Sequence, residues 1–208
     1  TIPESVMSIG EYAFAGCPGV TGAIVFPNNL QTLGEGCFYD CDNIISINTN
    51  ARIIRHNAFA NCDRLVSVSL GDSVKTLAQG SFNGCFRLQN VIMGSGIDTL
   101  MGGVFNGCVR LENMQLGGGI HHIGDSAFYN CALIHDIVLT EGLTSIGNFA
   151  FYGCSNISGM LEFPSTITTI GNNAFRSIGT VNRIRMNGTI PPTIYANTFY
   201  SVSNSTPV

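Results

Sequence analysis

Cysteine and histidine are the residues of this chain with reactive side chains, so their spacing decides first what chemistry it can do. Seven of the eight cysteines (Cys17, Cys41, Cys62, Cys85, Cys108, Cys131 and Cys154) lie three residues after a phenylalanine. A thiol acts as a nucleophile or metal ligand when ionised, which needs a polar, activating setting with a base nearby. The eighth occurrence of the same slot holds Ile178, and a slot that accepts Cys or Ile behaves as a small buried hydrophobe. One cysteine per unit also lacks the close pairs that zinc sites favour. The expectation is a ladder of unpaired thiols, with pairing or metal use as the alternative. Cys37 stands apart, in the small-residue slot that elsewhere holds Ala13, Ala58, Ala127, Ala150 and Ala174.

Among the four histidines, His121 and His122 sit between Ile120 and Ile123. Neighbours in an extended segment point to opposite faces, so the pair is not expected to share a metal. His56 and His135 are isolated, the latter beside Asp136. The glycine stretches at 94–96 and 117–119 lack the lysine and the strand-to-helix context of a phosphate loop. No catalytic residue, metal ligand or cofactor is expected.

The elements that position these residues come from a repeat. Its marker phenylalanine falls at Phe14, Phe38, Phe59, Phe82, Phe105, Phe128, Phe151, Phe175 and Phe199, at intervals of 24, 21, 23, 23, 23, 23, 24 and 24 residues. A period in the low twenties means stacked solenoid turns. The unit reads small-Phe-x-x-Cys-x-x-Leu-x-x-Ile-x-Leu, then a corner, then Leu-x-x-Ile-Gly. Its Ile-x-Leu piece has period two and predicts one short strand per turn, stacking into a parallel main sheet. The second apolar pair, such as Leu143 and Ile146, predicts a short extended segment on the other side. The small-Phe-x-x-Cys piece is too short for a stable α-helix and predicts a helical or 3₁₀ turn. Extra residues at Thr21-Gly22-Ala23-Ile24 and Ser158-Gly159-Met160-Leu161 predict glycine bulges, and the short turn at Asn48-Thr49-Asn50-Ala51 predicts a tightening.

Residues 1–208 are thus expected to form a single β-rich solenoid domain of eight to nine turns. Neither end shows a polar cap, which exposes strand edges and core. The expectation is a fragment of a longer chain, with self-association through the uncapped ends or cover by another chain. Only 11% of residues are charged and the net charge is −4, which excludes the basic field that nucleic acid requires. No run of 18 apolar residues is present to insert in a membrane.

Laid out this way, the sequence resembles the BspA-like, or Treponema-type, leucine-rich repeats, whose unit is close to Leu-x-x-Ile-x-Leu-Pro-x-x-Leu-x-x-Ile-Gly-x-x-Ala-Phe-x-x-Cys. Ile146-Gly147-Asn148-Phe149-Ala150-Phe151-Tyr152-Gly153-Cys154 carries the match most fully. The departures are the missing corner prolines at 94–96 and 117–119 and Ile178 for Cys. The resemblance implies an extracellular or cell-surface protein of host-associated bacteria that adheres to a host or microbial protein or glycan, and it supplies no catalytic residues.

A solenoid presents its strand face as one extended surface. The side chains beside the inward Ile and Leu are expected to line it: Ser46 and Asn48, Ser67 and Ser69, Asn90 and Ile92, Asn113 and Gln115, then His135, Asp136 and Val138, then Glu162, Arg183 and Arg185. Of these, Asn90, Asn113, Gln115, His135, Asp136, Glu162 and Arg185 are the candidate ligand-binding residues. Amides and hydroxyls suit hydrogen bonding to polypeptide or glycan. The alternative is a structural spacer that projects another domain from the cell surface.

Overall fold

A computed structural model describes residues 2–202. The chain winds as a parallel β-solenoid in which most turns carry two strands, one long and one short. The short strands, from Ser8–Ile9 through Thr193–Ile194, each span two residues and form one unbroken nine-stranded parallel sheet, the back sheet. The longer strands Gly22–Val25, Ile44–Thr49, Ser67–Leu70, Asn90–Met93 and Asn113–Gln115 form a five-stranded parallel sheet, the front face. Gly159–Phe163 and Val181–Met186 form a separate pair.

The expected main sheet is therefore interrupted: residues 135–139 pair with neither neighbour. At the inward position Ile47, Val68, Val91 and Leu161 are buried, while Ile24, Met114 and Ile137 are partly so. Ile24 and Met114 still lie in paired strands, so depth of burial at that position does not by itself open the gap.

The loops that carry the repeat phenylalanines contain no helix among the described residues. They do make i→i+3 bonds, for example Cys131 N–H to the Phe128 carbonyl at 3.1 Å. Continuation into a helix is blocked by a left-handed residue two before and two after each repeat phenylalanine. Asn57 (φ 52°) and Asn61 (φ 59°) flank Phe59, and Ser126 (φ 55°) and Asn130 (φ 57°) flank Phe128. Most of these positions hold Gly, Asn, Asp or Ser, which tolerate that region best; Tyr12 and Phe149 are the bulky exceptions. The loops stack as a third hydrogen-bonded ladder, with Ser126, Phe128 and Asn130 donating to the Asn148, Ala150 and Tyr152 carbonyls at 2.8 Å.

Inside, the phenylalanines form one column from Phe14 to Phe199, with centroids 5.1–5.7 Å apart and rings within 15° of parallel. Offset stacking at this spacing is favourable beyond the area buried. Phe26 and Phe163, each in a turn with an extra residue, close on the column edge-on, Phe26 against Phe38 and Phe59 and Phe163 against Phe175 and Phe199. Both extra residues are bulges: the strand register shifts after Gly22 (φ 76°) and Gly159 (φ 79°). At the short turn, Ala51 N–H donates to the buried Thr49 hydroxyl at 3.1 Å and pulls the corner in.

All eight cysteines are free, and all but Cys17 are buried. Each repeat thiol from Cys41 to Cys154 donates to the phenylalanine carbonyl of the turn before, as Cys108 does to Phe82 at 3.3 Å and Cys131 to Phe105 at 3.1 Å. The Phe82 and Phe105 carbonyls already accept the cysteine N–H of their own turn, so the thiol fills the second lone pair. The slot is hydrophobic in burial, as read from Ile178, but the cysteine adds a weak donor that isoleucine lacks.

Candidate binding face

On the five-stranded front face, register brings the outward side chains into two rows. One runs Ala23, Ser46, Ser67, Asn90, Asn113 and the other Val25, Asn48, Ser69, Ile92, Gln115. The rows arise because side chains alternate across a strand and the rungs are stacked in register. Asn113 Nδ2 donates to Asn90 Oδ1 at 2.8 Å, while Gln115 projects into solvent. Val25 and Ile92 interrupt the polar row as exposed apolar side chains, 69% and 52% accessible.

The remaining candidates do not share that sheet. His135 and Asp136 lie in the unpaired segment, where His135 Nε2 stands 3.4 Å from Asp136 Oδ2, both well exposed. Glu162 and Arg185 face each other on the two-stranded sheet at 3.3 Å, and Asn187 Nδ2 donates to Glu162 Oε1 at 3.1 Å. The single continuous surface read from the repeat is thus three segments: an amide and hydroxyl sheet, a loose turn, and a charged pair.

The histidine pair makes no catalytic constellation. His121 Nδ1 is 2.7 Å from Asp98 Oδ1, whereas His122 Nδ1 is 2.8 Å from Ser145 Oγ. The carboxylate and the hydroxyl therefore serve different rings, so neither imidazole lies between a carboxylate and a hydroxyl as in an acyl-transfer triad. The Asp98 carboxyl is held below its ordinary range by hydrogen bonds from Thr99 and His121. Among the described residues no three His, Cys, Asp or Glu side chains gather as a metal site would need. The buried thiols are pushed far from ionisation by desolvation, Cys37 up to about 12 and Cys62, Cys85, Cys108, Cys131 and Cys154 well above their ordinary value.

Among the described residues no helix is long and apolar enough to cross a membrane. Comparison with solved structures gives bacterial leucine-rich repeat proteins. A leucine-rich repeat protein of T. pallidum is 23% identical with a TM-score of 0.60, over 86% of this chain and 77% of its own. One from Bacteroides ovatus is 21% identical with a TM-score of 0.52, over 87% and 71%. A leucine rich cell surface protein from Faecalibacterium prausnitzii is 18% identical with a TM-score of 0.50, over 89% and 64%. At these identities the likeness is one of fold. No curated protein is similar enough to count as a relative. The model of the BspA type leucine rich repeat region matches residues 1–112, 43–158 and 121–208. With the repeat, the stacked parallel turns and that match in agreement, the chain belongs to the BspA-type leucine-rich repeat family.

Proposed function

We propose that this solenoid is a non-enzymatic recognition module of a bacterial cell-surface or secreted protein, binding a host or microbial protein or glycan on its front face. The observation that carries the reading is the pair of in-register outward rows, uncharged and rich in amides and hydroxyls, across five rungs. Asn90, Asn113 and Gln115 form their C-terminal edge, and His135, Asp136, Glu162 and Arg185 are the charged flank beyond it. Leucine-rich repeats as a class bind proteins through extended faces of this kind, and the family offers no catalytic set.

The test is a glycan-array and extracellular-matrix screen with the purified domain, beside a variant with Asn90, Asn113 and Gln115 changed to charged residues. Binding that the triple change abolishes supports a recognition face there. A spacer is the competing reading, favoured by the way Asn113 bonds to Asn90 and Glu162 to Arg185 and Asn187 rather than standing free. Absence of any binding by a folded sample would sink the recognition reading in favour of the spacer.

A further inference from the structure

The back sheet carries a groove, lined by none of the front-face residues. After each two-residue strand the next position holds, turn by turn, Gly10, Gly34, Arg55, Ala78, Met101, Gly124, Gly147, Gly171 and Tyr195. Three successive rungs therefore have no side chain there, while the half-exposed Met101 and Tyr195 stand at either end. Tight rung spacing explains the glycines themselves, since a Cβ on Gly147 or Gly171 would lie within 2.7 Å of the preceding turn. The three glycines Gly124, Gly147 and Gly171 lie in the floor of a groove of about 460 Å³ that crosses these rungs.

Its walls are polar and already fixed. One is His122, Ser145 and Thr169, with His122 Nδ1 held 2.8 Å from Ser145 Oγ, which leaves the ring's Nε2 toward solvent. The other is a chain of carboxylate and amides. Asp125 accepts from the Asn148 N–H at 2.7 Å and from its Nδ2 at 3.3 Å, and Asn148 Oδ1 accepts from the Asn172 N–H at 2.9 Å and from its Nδ2 at 3.2 Å. Tyr195 closes the C-terminal end of the groove.

We propose that this groove binds a neutral oligosaccharide, laid along the axis with one sugar unit per rung and an apolar sugar face against Tyr195. Four observations select the ligand class. The rungs repeat at ~4.8 Å, close to the length of one pyranose unit, and each rung offers a hydroxyl or imidazole on one wall and an amide or carboxylate on the other. An extended peptide cannot add to the sheet, because the backbone N–H groups along the floor are already used: Gly124 donates to Leu100, Gly147 to Ile123 and Gly171 to Ile146, at 2.7–2.8 Å. An anionic chain is disfavoured by Asp125, which no lysine or arginine of the lining offsets. Finally, the prealigned side chains lose little freedom on binding, which is what lets a weak polar ligand be held.

The experiment is NMR titration of the isotopically labelled protein with four neutral tetrasaccharides, of glucose, mannose, galactose and N-acetylglucosamine type, beside a sulfated heparin tetrasaccharide. At least one neutral sugar should shift the Ser145, Asn148 and Tyr195 amides in a saturable way. Tyr195→Ala should weaken that binding about tenfold, and Ser145→Arg or Thr169→Arg, each pointing outward into the groove, should remove it with melting temperature unchanged. The front-face triple variant should bind as the parent does, which separates this proposal from the front-face reading. It is overturned if no neutral tetrasaccharide moves those resonances, if the sulfated sugar binds in preference, or if both arginine variants bind like the parent.

Discussion

Raising the pH from 8 to 10 should unfold this protein, and the thiol ladder sets how steeply. Cys37, Cys62, Cys85, Cys108, Cys131 and Cys154 are buried with ionisation pushed upward, against an ordinary value of 9.0, desolvation being the first cause in every case. In the folded state they stay protonated, while in the unfolded chain they release protons above pH 9. A group whose pKa is raised by folding contributes its full stability below the unfolded value and loses it as pH rises toward the folded one. Each thiol thus costs about 1.4 kcal/mol per pH unit above 9. The six together cost ~8 kcal/mol at pH 10, comparable to the whole stability of an ordinary domain. The assay is urea unfolding under reducing conditions at half-unit steps from pH 7.5 to 10.5, with circular dichroism as the probe. A variant carrying Cys85→Val and Cys108→Val, which follows the precedent of the turn with Ile178, should show the slope above pH 9 reduced by about a third. A parent whose stability is flat between pH 8.5 and 10, or a double variant with the parent's slope, would refute the reasoning.

Three further outcomes follow from the packing. Phe105 is fully buried between Phe82 and Phe128, at 5.6 and 5.5 Å; Phe105→Ala should cost about 3–5 kcal/mol in chemical denaturation, and a loss under about 1 kcal/mol would mean the column does not bear on stability. Phe149 holds a left-handed conformation (φ 56°) and touches Tyr152 only at a tilt, 5.9 Å between centroids. Phe149→Asn should therefore stabilise by about 1 kcal/mol through relief of that strain, read as a rise in melting temperature. Thr49→Val removes the buried hydroxyl that accepts the Ala51 N–H and should cost about 1–3 kcal/mol, seen as a lower urea midpoint.

The repeat phenylalanines, the cysteine slot, the two glycine bulges and the tightened turn at Thr49 were all legible, because each is a matter of residue type at a fixed interval. What escaped was conformational sign and strand pairing. A five-residue loop around a phenylalanine reads equally as a 3₁₀ turn or as a pair of left-handed bends, and the distinguishing signal is the Gly, Asn and Ser enrichment two residues either side. The gap in the front sheet was hidden because Ile134, Ile137 and Leu139 satisfy the strand pattern as fully as the turns that do pair. Isoleucine at 178 disclosed that the slot is apolar and concealed that its usual occupant donates a hydrogen bond. The front rows from Ser46 to Gln115 were readable from alternation alone. The back groove depends on which consecutive turns drop their side chain together, a property of neighbouring units rather than of the consensus.

The thiol bond and the loop ladder both cross from one turn to the next, and each crossing repeats the same chemistry. Cys131 completes the Phe105 carbonyl just as Cys154 completes that of Phe128, while Phe105 N–H meets Ala127 as Phe128 N–H meets Ala150. A 23-residue turn is therefore an exchangeable cassette: copied or excised in the gene, it presents its neighbours with the same donors and acceptors they had before. The turns with Phe26 and Phe163 are not interchangeable with it, since their edge-on rings claim two phenylalanines of the column. Growth and shrinkage of such an array by unequal recombination should accordingly concentrate in the run from Phe82 to Phe151, between those two fixed points.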